Sequence, residues 1–182
     1  MNYPASVKKT YKHITNYGNR GMDLEELINM SCENYIEKDI AYIYKKPTPI
    51  QVVKYDCNKN RITDAYYKTH STLDFNGIYK GKYIEFDAKN TNKNNLPLAN
   101  IQTHQLEHIK NITNHGGIAF LIIMINNECY LLSAYAILDF ITNSKRKSID
   151  YNYIKDNGIK LEYSYLKGVD FIKGIDILLE GE

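Results

Sequence analysis

The sequence predicts an α/β fold: a mixed central β-sheet flanked by helices. Three observations carry this. Leu24, Leu27, Ile28, Ser31 and Tyr35 recur at helical spacing, and Ile101, Gln105, Leu106, Ile109 and Ile112 do so again. Ile118 to Ile125 (IAFLIIMI) is apolar throughout, as expected of a central strand covered on both faces. Between the two helical stretches, Tyr83 to Lys89 alternates apolar and charged residues, the period of a strand. At 182 residues the chain suits one domain with a real core.

The N-terminal residues 1–18 read as a flexible basic arm. Lys8, Lys9 and Lys12, with Arg20 just beyond, stand there without an acidic residue, as a mobile tail or a contact for phosphates. Asp23, with Glu26 three residues on, is a good N-cap for a helix over about 24–38. Glu25 lies off its apolar stripe and reads as a solvated first-turn carboxylate.

From Ala41 to Lys68 β-prone runs alternate with breaks, and Pro47 and Pro49 remove 46–50 from any central ladder. Lys45, Lys46, Lys54, Lys59, Arg61 and Lys68 face only Asp56 and Asp64, although the whole chain carries a net +2. Tyr42, Tyr44, Tyr55, Tyr66 and Tyr67 interleave with them. Such a block is either a hairpin with a lysine-rich edge or a surface that neutralises phosphates and stacks on bases.

Ser71 to Lys89 (STLDFNGIYKGKYIEFDAK) reads as two short strands around a turn that begins at Asn76-Gly77. The first carries Thr72 and Asp74. In the second, Ile84, Phe86 and Ala88 share one face and Glu85, Asp87 and Lys89 the other. If the strands pair, Asp74 approaches Asp87 and Lys89. That charged face is either a solvated surface or a site for a metal or ligand.

Asn90 to Pro97 is a polar loop, and a helix over Leu98 to Asn114 ends at Gly116-Gly117. After the apolar strand, Asn126-Asn127 turns the chain into Glu128 to Ser133. A short helix over Ala134 to Thr142 leads to the basic loop Lys145-Arg146-Lys147. The tail predicts a strand near Ile159 to Tyr165 and a helix over about Gly168 to Leu179.

Cys32, Cys57 and Cys129 are widely spaced and form no C-x-x-C pair, which argues against a disulfide framework and fits a reducing, cytoplasmic setting. No stretch is apolar and long enough for a bilayer, so no membrane partner is expected. His104-Gln105-Leu106-Glu107-His108 matches H-x-x-E-H, whose histidines share a helical face and could bind zinc in a hydrolase. A zinc enzyme would need a third ligand, and none stands in helical context.

Helix, strands, helix, strand, with D-x12-D-x-K on adjacent strands, resembles the PD-(D/E)xK nuclease superfamily and its restriction-endonuclease-like core. Within it the chain is similar to the RecU-type Holliday junction resolvases of low-GC Gram-positive bacteria and mycoplasmas. Four blocks carry the resemblance, which extends from about Asn19 to the end. They are Asn19-Arg20-Gly21-Met22 with Leu24-Glu25, Lys45 to Gln51, Ser71 to Lys89, and His104 to His108 with Gly116 to Phe120.

The resemblance implies one nuclease domain over 1–182, with 45–68 inserted as a projecting basic β stalk. It implies magnesium, or manganese in its place, at Thr72, Asp74, Asp87 and Gln105. Lys89 would stabilise the transition state and Glu25 support the site. Arg20, Lys45, Lys46, Lys54, Arg61 and Lys68 would meet DNA. The implied activity is the resolution of four-way junctions by paired symmetric nicks in recombination and repair. The implied enzyme is a homodimer with a recombinase or branch-migration partner beside it. A dimeric restriction- or repair-type nuclease on duplex DNA is the alternative on the same core. Asp87 departs from the family, where relatives carry Glu, and is shorter by one methylene.

Overall fold

The computed structural model describes residues 23–68 and 72–181. The basic arm over 1–18, the Arg20 contact and Ser71 lie outside the described residues.

Helix α1 (Leu24–Glu37) leads to β1 (Tyr42–Lys45), then to a ribbon of β2 (Ile50–Asp56) and β3 (Arg61–Tyr67). The chain returns through β4 (Phe75–Tyr79) and β5 (Lys82–Thr91) to a short β6 (Asn95–Pro97) and α2 (Thr103–Asn114). Next come β7 (Ile118–Ile125), β8 (Glu128–Ser133), α3 (Ala134–Asn143), β9 (Ser148–Asp150) and α4 (Tyr151–Asn157). The chain closes with β10 (Ile159–Leu161), β11 (Tyr163–Ser164), β12 (Gly168–Val169) and α5 (Ile172–Glu180).

The central sheet has six strands in the order β1-β4-β5-β7-β8-β10. Only β5 and β7 run parallel within it, joined through α2, and the other neighbours are antiparallel. The sheet is therefore mixed, as the sequence predicts. Strand β7 explains why its sequence lacks alternation. Ile118, Phe120 and Ile122 join a core with Leu24, Leu27 and Ile28 of α1 and Ile172 and Ile175 of α5. Ala119, Leu121, Ile123 and Ile125 join a second core with Ile109 and Ile112 of α2 and Ile137 and Phe140 of α3. Apolar side chains are needed on both faces because both are removed from water.

Strand β5 divides by the same period. Ile84 and Phe86 enter the first core, where Phe86 stacks between Phe75 and Phe120 at centroid distances of 5.0 and 4.7 Å. Glu85, Asp87 and Lys89 face the α2 side. That face is not a solvated surface: Glu85 is 1% exposed and Asp87 0%.

Several boundaries differ from the sequence reading. The hairpin turns at Lys80-Gly81, both at positive φ (48° and 75°), and not at Asn76-Gly77, which lies inside β4. Gly77 is required there for another reason. A Cβ at that position would stand 2.0 Å from the Tyr42 carbonyl oxygen, so only glycine lets β1 pair with β4. Asp23 precedes α1, but its side chain makes no cap; its carbonyl accepts from the amides of Glu26 and Leu27.

The 90–97 loop is partly strand, since β5 runs to Thr91 and β6 pairs with β9. Helix α2 starts at Thr103 after a single 3-10 turn at Leu98–Asn100, where Gln105 Oε1 accepts from the Gln102 amide at 3.1 Å. Helix α4 is absent from the sequence reading, although Asp150 caps it through the Tyr153 amide at 3.0 Å. Gly168 belongs to β12, and α5 begins only at Ile172.

The β2–β3 ribbon forms its own two-stranded sheet, with every residue exposed except half-buried Asp56. The Asp56 carboxylate closes its tip by accepting from the amides of Asn58 (3.0 Å) and Lys59 (3.2 Å). Tyr55, Tyr66, Tyr67, Val52, Val53 and Ile62 are all open to solvent. A two-stranded ribbon exposed on both faces is marginal on its own.

Candidate active site

Three elements meet on the α2 side of the sheet. The β4–β5 register places Phe75 opposite Phe86, so Asp74 follows the ladder to the level of Asp87. Thr72 and Asp74 lie in the entry to β4 and not in the strand itself. Helix α2 supplies Gln105, buried like its neighbours Ile109 and Ile112 because all three face the sheet. These contacts unite residues 33 and 18 positions apart.

Asp87 is held from several sides. Its Oδ2 accepts from Gln105 Nε2 at 2.9 Å and pairs with Lys89 Nζ at 2.6 Å, while Oδ1 accepts from the Ala88 amide at 3.1 Å. Gln105 Nε2 also donates to the Thr72 carbonyl at 2.9 Å. The amide nitrogen of Gln105 thus faces the carboxylate, and its oxygen is engaged at the start of α2. In this arrangement Gln105 orients Asp87; serving as an oxygen ligand would require its amide to turn over.

Burial first, then the hydrogen-bonded and charged Asp87 and the charge of Glu25, push the Asp74 carboxyl up to about 7, with Lys89 opposing. Two carboxylates next to the Thr72 hydroxyl form a donor set suited to a hard divalent cation. The residues present fit magnesium or manganese on that chemistry.

Glu25 extends from the first turn of α1 and its carboxylate pairs with Lys45 Nζ, which holds the Lys45 ammonium above its usual range. Lys46 turns inward, its ammonium bonded to Glu85 and to the Thr72 hydroxyl. Both lysines, which are among the residues expected at DNA, pair here with acidic residues, and Lys45 does so from an exposed position. Lys54, Arg61 and Lys68 stand on the exposed ribbon and its end.

His108 Nε2 lies 2.9 Å from Glu85 Oε2. Among the described residues no three His, Cys, Asp or Glu side chains gather as a metal group, so His104 and His108 lack the further ligand that a zinc hydrolase needs.

Glu85 and Tyr83 are absent from the sequence-predicted site, and His108 enters the sequence reading only as a zinc ligand of the H-x-x-E-H pattern. Glu85 was legible as sharing a face with Asp87, and His108 as one turn from Gln105. Nothing in the sequence paired Glu85 with His108, because their contact depends on how α2 packs on β5.

Buried Asp87 on a strand of a mixed sheet, with half-buried Asp74 level with it, Lys89 two residues on and a helix bracing the carboxylate, is the arrangement of the PD-(D/E)xK class of nucleases. The chain belongs to the RecU family, whose model, described as recombination protein U, matches residues 19–177.

A protein named Holliday junction resolvase RecU from Oceanobacillus iheyensis is 42% identical over 194 residues, spanning 98% of this chain and 99% of that one. Its namesake from Bacillus cytotoxicus is 42% identical over 186 residues, spanning 97% and 93%. Among solved structures, Hjc from Archaeoglobus fulgidus, a Holliday junction resolvase from an archaeal hyperthermophile, aligns at a TM-score of 0.42 with 12% identity. That alignment spans 70% of this chain and 90% of Hjc. Among the described residues no helix is long and apolar enough to cross a membrane.

Proposed function

We propose that this chain is a magnesium-dependent endonuclease that resolves Holliday junctions by paired symmetric nicks, acting as a homodimer in recombination and repair. The observation that carries this is the placement of Asp74 at the level of Asp87, with Lys89 paired to Asp87 and Gln105 bracing it. The names of the relatives supply the substrate.

Asp74 and Asp87, with the Thr72 oxygen, would hold the cation, and manganese has the same preference for oxygen donors. When bound, the ion polarises the scissile phosphate and lowers the pKa of a water. Lys89 neutralises negative charge that builds on the phosphoryl oxygens as the bond breaks. Gln105 keeps Asp87 in one orientation, and Glu25 adds to the negative field that favours a cation. A twofold dimer would set two such sites against the opposing strands of a four-way junction. The exposed ribbon with Lys54, Arg61 and Lys68 serves as a stalk that tests junction shape through phosphates and unstacked bases.

Incubation with a mobile four-way junction and with linear duplex of the same sequence, in magnesium or in chelator, tests this. Symmetric nicking of the junction in magnesium alone is expected. Asp87→Asn should bind the junction without cutting, and Lys89→Ala should cut about 10² to 10³-fold more slowly. Equal cleavage of the duplex would favour a restriction- or repair-type nuclease. Unchanged nicking by Asp87→Asn would remove this site from the reaction.

A further inference from the structure

Glu85 is the one buried carboxylate at this site to which the reaction above assigns no task. It is 1% exposed, and four donors converge on it. Oε1 takes the Lys46 ammonium and the Thr72 hydroxyl, the latter at 3.1 Å. Oε2 takes the Tyr83 hydroxyl at 2.7 Å and lies 2.9 Å from His108 Nε2. These donors come from four places in the chain: the base of the ribbon, the entry to β4, β5 itself and α2. A carboxylate that collects donors from four segments defines where those segments meet.

The consequence falls on Thr72. A hydroxyl has one proton and two lone pairs. The Thr72 proton goes to Glu85 and one lone pair accepts the Lys46 ammonium, which leaves a single lone pair and a fixed rotor. A hydroxyl oxygen is held ready for a cation when its proton is fixed on an acceptor elsewhere. We propose that Glu85 is a positioning residue of the nuclease site: it takes the Thr72 proton and, with Lys46, locks the hydroxyl oxygen as a ligand for the cation. Partners of this kind, one bond removed from the metal, hold ligands in place at many sites. The Lys46 amide also donates to the Asp74 carbonyl at 2.7 Å, so the same lysine ties down the backbone of the neighbouring carboxylate. Lys46 on this reading acts inside the site and not on DNA.

The proposal rests on the metal-site reading above, and its test separates the two. Magnesium binding to the full chain is measured by calorimetry, without DNA, for the wild type, Glu85→Gln, Thr72→Ala and the double variant. Junction binding in chelator is measured alongside, as is the melting temperature. Glu85→Gln is expected to weaken magnesium about 10- to 100-fold with junction binding in chelator unchanged. The double variant should be no weaker than the worse single one, because Glu85 acts through Thr72. If Glu85→Gln does not fold, Glu85→Asp keeps the charge on a shorter stem and should show the same non-additive loss with Thr72→Ala. Wild-type magnesium affinity in the folded Glu85 variant, or additive losses in the double variant, would overturn the proposal alone. A wild type that binds no magnesium would overturn the metal-site reading and this proposal together.

Discussion

Asp74→Asn isolates the electrostatic state of the site. The Asp74 carboxyl is pushed from 3.8 to about 7 in the folded chain, by burial first and then by Asp87. At 1.36 kcal/mol per decade of proton affinity that amounts to about 4 kcal/mol, and solvent at this half-buried position screens it to about 2 kcal/mol. Below pH about 4 both folded and unfolded carboxyls hold their proton, and the group favours neither state. As pH rises from about 4 to 7 the unfolded carboxyl releases its proton while the folded one retains it, so stability falls. Above about 7 the loss is complete. Asparagine mimics the protonated carboxyl at every pH and escapes this loss.

In chelator, wild type and variant should therefore melt together near pH 4. By pH 8 the variant should be more stable by about 2 kcal/mol, or about 4 to 8 °C in a domain of this size. Magnesium at pH 8 should raise the melting temperature of the wild type and leave that of Asp74→Asn unchanged. Differential scanning calorimetry across pH 4 to 8.5, in chelator and in magnesium, reads both. A difference between the two proteins that stays constant with pH would refute the raised proton affinity of Asp74.

Two further expectations follow from geometry. Replacing Lys54, Arg61 and Lys68 by glutamine should lower the salt slope of junction binding by about 2.7, or about 0.9 for each phosphate no longer neutralised. Filter binding over a salt series measures it, and an equal effect on linear duplex would count against a stalk selective for branched DNA. Gly77→Ala should cost about 3 kcal/mol or more in urea denaturation, since its Cβ meets the Tyr42 carbonyl at 2.0 Å. Gly81→Ala, at positive φ with open space around it, should cost only about 1 to 2 kcal/mol. Similar costs at the two positions would contradict the close approach of β1 to β4.

The strand pattern around the site is legible in the sequence because period 2 is a local property. Alternation from Tyr83 to Lys89 assigns Ile84 and Phe86 to one face and Glu85, Asp87 and Lys89 to the other, and the structure keeps that division. The spacing from Asp74 to Asp87 carries the pairing as well. The turn is misplaced by sequence because Asn-Gly is a strong hairpin signal, whereas Gly77 answers to a strand that lies more than thirty residues earlier in the chain. Helix α4 escapes notice because seven residues are too few to show a helical stripe. Lys45 and Lys46 read as part of a basic surface because charge counted along a chain says nothing about direction. Both reach back to carboxylates, one on α1 and the other on β5.

What the sequence by itself determined is the set of chemical groups and their order: alternating faces, the apolar central strand, and two aspartates with a lysine at family spacing. These depend on residue type and on periods of two or 3.6, which can be counted along the chain. What only the tertiary structure decided is the surroundings of each group. Packing α2 over the charged face of β5 removed Glu85 and Asp87 from water, burial raised the proton affinity of Asp74, and Lys46 and His108 turned toward Glu85. Desolvation and close charge act through space, so a pKa or an ion pair belongs to the folded arrangement and not to the order of residues.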